Sequence, residues 1–335
     1  MKRIIAAELC VKYKNMKAAV ISGFGETPQF KDFPEPVITN GETLVYVKAA
    51  ALENFDKGTV SGLHYSSKKI FPTFPAIAGT QGVGATENGD MVSFGNIKPP
   101  YGSYAERVAA GYVIPVPPGI DPVQAAAIVP SALTSLLPLK YSAKLQPGET
   151  VLINGATGAS GRIAVQVAKM LGAGKIIATG RNESSLNLVS KLGADKTINL
   201  LQNDEQLSEN FMAAREENAC YVVLDFLWGR PAEVLIDSFI RKEAGFAKQR
   251  TRYIQIGQKA GSHIPVSAAA FRTSGLEMMG IGKISNEVLN AEINTVWNWI
   301  KENKLFMDIE RVSLKDISDA WQRTELAGKR LVVMP

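Results

Sequence analysis

Cysteine and histidine are nearly missing from this chain, with two of each in 335 residues. Cys10 and Cys220 lie far apart, which excludes a disulfide framework and argues against structural zinc. Long apolar runs are missing too: none approaches the ~20 residues that cross a bilayer, so no membrane partner is expected. The first ten residues have a basic tip, but their apolar run is short and no cleavage site follows. They do not read as a signal peptide, and the cytoplasm is the expected compartment. Internal repeats and low-complexity segments are absent. The charge excess is small, 37 Lys and Arg against 32 Asp and Glu for a net +5, and it is scattered. That pattern reads as a solvated surface and not as a nucleic-acid face. At 46% apolar and 21% charged, the chain has an ordinary globular composition and is long enough for two domains.

What is present is concentrated in residues 151–181. Val151-Leu-Ile-Asn154 is an apolar strand, Gly155-Ala156-Thr157-Gly158-Ala159-Ser160-Gly161 a glycine-spaced turn, and a helix follows from near Gly158. A second strand, Lys175–Thr179, ends on Gly180-Arg181-Asn182. This is the first strand–helix–strand unit of a dinucleotide-binding fold. Its glycines permit a tight turn, close approach of a pyrophosphate and tight helix–strand packing. The helix start offers unpaired N–H groups and a positive dipole end to the phosphates. About 20 residues past the glycines, NAD-binding proteins carry an acidic residue for the ribose hydroxyl. Arg181 stands there instead, and a guanidinium pairs with the 2′-phosphate that a carboxylate would repel. The expected cofactor is therefore NADPH, with Asn182 as a further donor.

From residue 16 to about 115, short β-type runs such as Thr43–Ala51, Gly82–Ala85 and Asp90–Phe94 alternate with Gly and Pro, which predicts a small barrel-like domain. Asn88-Gly89-Asp90 is a hairpin signal. Asp121-Pro122 opens a capped helix, and 131–143 is expected to continue helical. Strands and helices alternate from 151 to 281, the pattern of a doubly wound parallel sheet. The tail contributes a helix over 286–302, a strand at 309–312, a short helix at 315–326 and a strand at 330–334. It lacks a layer of its own and is expected to complete the first domain. Residues 1–15 read as an extension.

Separated pieces in a fixed order carry a resemblance. They are Met16-Lys-Ala-Ala-Val, Asn54-Phe-Asp56 with Gly62, and Pro75-Ala-Ile-Ala-Gly79-Thr-Gln-Gly82-Val-Gly84. Gly89-Asp90-Met-Val, Tyr101-Gly-Ser-Tyr-Ala-Glu106 and Pro147-Gly-Glu-Thr-Val-Leu-Ile come next, and the glycine turn, Leu192-Gly-Ala-Asp195 and Ala327-Gly-Lys329 follow. The chain resembles the zinc-free quinone oxidoreductase, or zeta-crystallin-like, group of the medium-chain dehydrogenases/reductases. The glycine turn is also similar to that of short-chain reductases, but theirs lies at the chain start, and Tyr141-Ser-Ala-Lys144 is one residue short of their Tyr-x-x-x-Lys.

The resemblance implies an α/β protein: a GroES-like β-barrel catalytic domain over 16–125 and 285–335, plus a Rossmann domain with a doubly wound parallel sheet over 126–284. It also implies a homodimer. Zinc-dependent relatives carry Cys near Asn54 and Gly-His-Glu where Gly79-Thr80-Gln81 stands here, so no metal is expected. Without a Lewis acid, the expected acceptor is one that delocalises charge, a quinone or an α,β-unsaturated carbonyl (enone). By resemblance, Asn54 faces the nicotinamide and the acceptor oxygen, Tyr65 is a proton or hydrogen-bond donor, and His64 is a weaker candidate for that role. Thr134 lines the nicotinamide pocket by the same resemblance, although a helical Thr often bonds its own backbone. Phe226, Ile256 and Gly257 fall at strand ends where cofactors bind. Two alternatives stay open: an enoyl-thioester or other ene reductase of this fold, and an NADPH-binding structural or regulatory protein of low turnover.

Overall fold

The computed structural model describes residues 14–214, 221–240, 247–324 and 326–335. These divide into two compact units, one of 14–126, 311–324 and 331–335, the other of 127–214, 221–240, 247–310 and 326–330.

The first unit contains β1 (Asn15–Ile21), β2 (Gln29–Pro34), β3 (Thr43–Ala51), β4 (Ala76–Ile77), β5 (Gly82–Thr86), β6 (Met91–Ile97) and β7 (Arg107–Pro115). Its helices are α1 (Asn54–Val60) and the single turn α2 (Ser67–Ile70). Strand β3 pairs antiparallel with both β5 and β7, so β3, β5, β6 and β7 close on themselves. A register irregularity between Val47 and Ala49 bends β3 enough to serve both neighbours. Alternating Val45 and Val47 meet Val92, Phe94, Val108 and Ala110 in the interior. The expected hairpin at Asn88-Gly89-Asp90 joins β5 to β6.

Helix α3 (Pro122–Leu137) begins as the sequence indicates, with Asp121 Oδ1 accepting from the Val123 amide at 3.1 Å. It does not stay α-helical to 143: Pro138–Ser142 forms a π-helical turn, with the Ala143 amide donating to the Pro138 carbonyl. Together Pro122–Ser142 is long and apolar enough to cross a membrane, a run the sequence reading did not count as one. Pro130 and Pro138 divide it, and 72% of its most apolar window is buried within the protein, as in a core helix.

The second unit is built on β8 (Thr150–Asn154), β9 (Lys175–Gly180), β10 (Lys196–Asn199), β11 (Tyr221–Asp225), β12 (Thr251–Gln255) and β13 (Leu276–Met279). All pair in parallel, in the order β10-β9-β8-β11-β12-β13. The central strands β8 and β11 are buried along their whole length, which is why they read as unbroken apolar runs. The connecting helices are α4 (Ala159–Met170), α5 (Glu183–Lys191), α6 (Asp204–Ala214), α7 (Gly229–Asp237) and α8 (Ala268–Ser274).

Helix α9 (Asn286–Lys301) belongs to this second unit, whereas the sequence reading assigned all of 285–335 to the first. The physical reason is Glu292, which accepts from Lys140 Nζ at 2.7 Å and Tyr141 Oη at 2.6 Å, both in the second unit. Of the two α9 tryptophans, Trp297 is buried and Trp299 half-buried. Beyond it, β14 (Ile309–Ser313), the short α10 (Ile317–Gln322) and β15 (Arg330–Met334) follow, and β14 and β15 extend the barrel sheet beside β3. Of the expected extension, Asn15 opens β1, and residues 1–13 lie outside the described residues.

Candidate functional site

In a parallel sheet every strand ends on the same edge. From β8 the chain runs through β9 to β10 on one side, then to β11, β12 and β13 on the other. The switch point lies between β8 and β11, where α/β sheets of this kind bind ligands. The turn after β8 carries Gly155–Gly161, Arg181 and Asn182 follow β9, Phe226 follows β11, and Ile256 and Gly257 follow β12. Four of the sequence-expected segments therefore share one edge.

The turn is tight because its glycines make it so. Gly155 has φ +90°, a conformation that side chains rarely adopt, and a Cβ on Gly161 would lie 2.3 Å from the Gly155 carbonyl oxygen. Gly158 is different. Its φ of −75° suits any residue, and a Cβ there would approach nothing closer than that same oxygen, at 3.7 Å. Neither backbone nor packing requires glycine at 158. The open space lies at the N-cap of α4, which has no side-chain cap and no acidic residue in its first turn. The amides of Ala159, Ser160 and Gly161 there suit the phosphates of a dinucleotide. Ser160 Oγ accepts from the buried Arg330 Nη2 at 3.1 Å, and Ala156 is wholly buried, its amide donating to the Thr179 carbonyl.

After β9, a Cβ on Gly180 would sit 2.2 Å from Thr157 Cγ2, so glycine lets the strand end close against the turn. Arg181 is exposed, and among the described residues its guanidinium has no hydrogen-bond or ion-pair partner. Asn182 is the N-cap of α5, its Oδ1 accepting from the Ser185 amide at 3.0 Å and from Ser184 Oγ at 2.6 Å. Its oxygen is committed to the helix, so capping is its visible role.

A buried polar chain that the sequence reading missed runs beneath this edge. Tyr253 Oη donates to Asp225 Oδ2 at 2.7 Å, and Asn154 Nδ2 donates to Asp225 Oδ1 at 2.9 Å. Thr179 Oγ1 donates to Asn154 Oδ1 at 2.8 Å and accepts from the Gly155 amide at 2.9 Å. The chain crosses four adjacent strands and ends on the glycine turn. Asp225 also receives the amides of Leu227 and Trp228, and Trp228 adopts φ +54°. Burial pushes the Asp225 carboxyl above its ordinary range, with its hydrogen bonds acting in the opposite sense. Tyr253 is pushed well up by burial, then by the neighbouring Asp225. The turns after β11 and β12 pass close enough that a Cβ on Gly257 would lie 2.5 Å from the Phe226 carbonyl oxygen. Phe226 and Ile256 are half-buried. Thr134 Oγ1 donates to the Ser131 carbonyl at 2.8 Å, the local backbone bond that a helical Thr often makes.

In the first unit, Asn54 is the first residue of α1 and exposed, and Glu53 is the N-cap. Asp56 fills the third position of a capping box and takes the Glu53 amide at 3.0 Å. It is buried and also accepts from Tyr104 Oη at 2.7 Å and Thr80 Oγ1 at 3.4 Å. Gln81 Nε2 donates to Glu53 Oε2 at 3.2 Å. The Gly79-Thr80-Gln81 segment is thus tied by hydrogen bonds to the start of α1. Beyond α1, Tyr65 is 95% exposed and its ring lies 4.2 Å from that of His64, tilted by 33°. His64 Nδ1 is engaged by Ser66 Oγ at 2.6 Å.

Residues 159–238 match the zinc-binding dehydrogenase family. The chain is 30% identical over 226 residues to an alcohol dehydrogenase of Geobacillus stearothermophilus, covering 56% of this chain. That match spans 65% of the relative's length, slightly under two thirds. It is 26% identical over 326 residues to the quinone oxidoreductase of Pseudomonas aeruginosa, covering 92% of this chain and 94% of that protein. Among solved structures, the quinone oxidoreductase of Thermus thermophilus, determined also in complex with NADPH, is similar with a TM-score of 0.76 at 25% identity. That likeness covers 96% of this chain and 100% of the other.

Proposed function

We propose that the chain belongs to the medium-chain dehydrogenases/reductases, in their quinone oxidoreductase group, and that it is an NADPH-dependent, zinc-independent reductase of quinones or enones. One observation carries the cofactor part: an open cradle at Gly158, over a helix start without acidic residues, beside an exposed Arg181 that has no partner among the described residues. When bound, the nicotinamide supplies the hydride.

The chain's own residues bind and orient. The first-turn amides of α4 hold the pyrophosphate, and Arg181 pairs with the 2′-phosphate. Phe226, Ile256, Gly257 and Thr134 are the proposed walls for the rest of the cofactor. Asn54 is the proposed hydrogen-bond donor to the acceptor oxygen, and Tyr65, with His64 beside it, the proposed proton donor to the acceptor. Zinc independence is supported by the hydrogen bonds of Thr80 and Gln81 at the position where zinc-dependent relatives carry ligands. The stretch that matches the zinc-binding family contains no histidine and a single cysteine.

The test is Arg181→Ala assayed with both nicotinamide cofactors. A charge-assisted hydrogen bond contributes ~1.5–3 kcal/mol, so the NADPH KM should rise roughly tenfold or more while NADH is unaffected. An unchanged NADPH/NADH preference would refute the assignment.

A further inference from the structure

Arg162, at the fourth position of α4, is 5% exposed. Its Nη2 donates to the Ala327 carbonyl at 2.6 Å and to Ser185 Oγ at 3.5 Å. Its Nε is buried without a partner among the described residues. The turn at 327–328 is moulded on the guanidinium: Gly328 has φ +79°, and a Cβ there would lie 2.2 Å from Arg162 Cζ. Among the described residues no carboxylate reaches Arg162 within salt-bridge distance, and burial lowers its proton affinity, while Asp308 opposes that from further away.

Two effects disfavour a cation in this place. Burial removes its hydration, and the start of α4 is the positive end of the helix. An anion at the first turns of α4 and α5 would offset both. Ser185 links the guanidinium to that position, since it lies in the first turn of α5, just past Arg181 and Asn182. Its amide is used by Asn182, and its Oγ accepts from Arg162, which leaves the hydroxyl hydrogen to be donated elsewhere.

We propose that Arg162 is a second specificity-determining cation for the 2′-phosphate, acting through Ser185 from behind while Arg181 acts from the exposed side. The inference rests on the NADPH reading. Arg162 orients the Ser185 hydroxyl as a donor to a phosphate oxygen, and its charge favours the more anionic cofactor.

The experiment is calorimetric titration of the full-length protein with NADPH, NADH, adenosine 2′,5′-bisphosphate and AMP. It compares wild type with Arg162→Met, Arg162→Lys and Ser185→Ala, each checked by thermal unfolding. For Arg162→Met, the Kd for NADPH and for the bisphosphate should rise about tenfold, with NADH and AMP unchanged. Arg162→Lys should retain most of the preference, and Ser185→Ala, which leaves the buried cation in place, should lose part of it. A parallel loss of NADPH and NADH affinity would mean that Arg162 only supports the helix, and the proposal would be overturned. Unchanged preference in both Arg162→Met and Ser185→Ala would overturn it as well. If wild type itself fails to prefer NADPH, the cofactor reading is what fails, and this inference falls with it.

Discussion

A methyl group on Gly158 would meet nothing closer than the Gly155 carbonyl oxygen at 3.7 Å, whereas on Gly161 it would lie 2.3 Å from that oxygen. The two glycines should therefore separate binding from folding. Gly158→Ala should unfold at the wild-type denaturant midpoint yet bind NADPH several-fold more weakly. Gly161→Ala should lose ~1–3 kcal/mol of stability through overpacking. Equal stability losses would refute the distinction. Tyr65, at 95% exposure, contributes little packing, so Tyr65→Phe should leave the melting temperature unchanged. Its kcat should fall by about tenfold or more if the phenol moves a proton, and a normal kcat on every acceptor would remove that role. Some residue readings were beyond the sequence. Arg162 reads as an ordinary charged helix position, and its burial depends on Ala327 and Gly328, which are far away along the chain. The start of α1 at Asn54 is another such case, because Glu53-x-x-Asp56 is not the usual Ser/Thr-x-x-Glu form of a capping box.

At the scale of elements, the parallel strands were legible because β8, β9 and β11 are short apolar runs separated by helical segments. The position of α9 was not, because Glu292 meets Lys140 and Tyr141 from a remote part of the chain. That contact also predicts a pH dependence. Burial would raise the Glu292 carboxyl, but the hydrogen bonds from Lys140 and Tyr141 outweigh it and hold it below its ordinary 4.5. A carboxyl with a lower pKa folded than unfolded adds stability above the unfolded value, and that stability is lost as pH falls through the folded value. The stability advantage of wild type over Glu292→Gln should accordingly shrink below pH 4.5, measured by denaturant unfolding across pH. The chain of hydrogen bonds under the sheet edge offers a second element-scale test. Asp225→Asn would place an amide NH2 among the Tyr253, Asn154, Leu227 and Trp228 donors. A loss of ~1–3 kcal/mol per unsatisfied group is expected, and unchanged stability would contradict the buried network.

At the scale of the whole molecule, β13 ends the parallel sheet with no further strand beside it among the described residues. An open edge of this kind suits pairing with a second copy, as the family resemblance implies. Light scattering should then give about twice the 36.2 kDa chain mass. The most direct measurement of what the bound cofactor reduces is NADPH oxidation, followed by absorbance across a panel of quinones, enones and saturated ketones, with NADH and with a metal chelator in parallel. Turnover with quinones or enones should exceed turnover with saturated ketones, prefer NADPH and survive the chelator. Saturated-ketone turnover above both, or activity lost to the chelator, would contradict the proposed function.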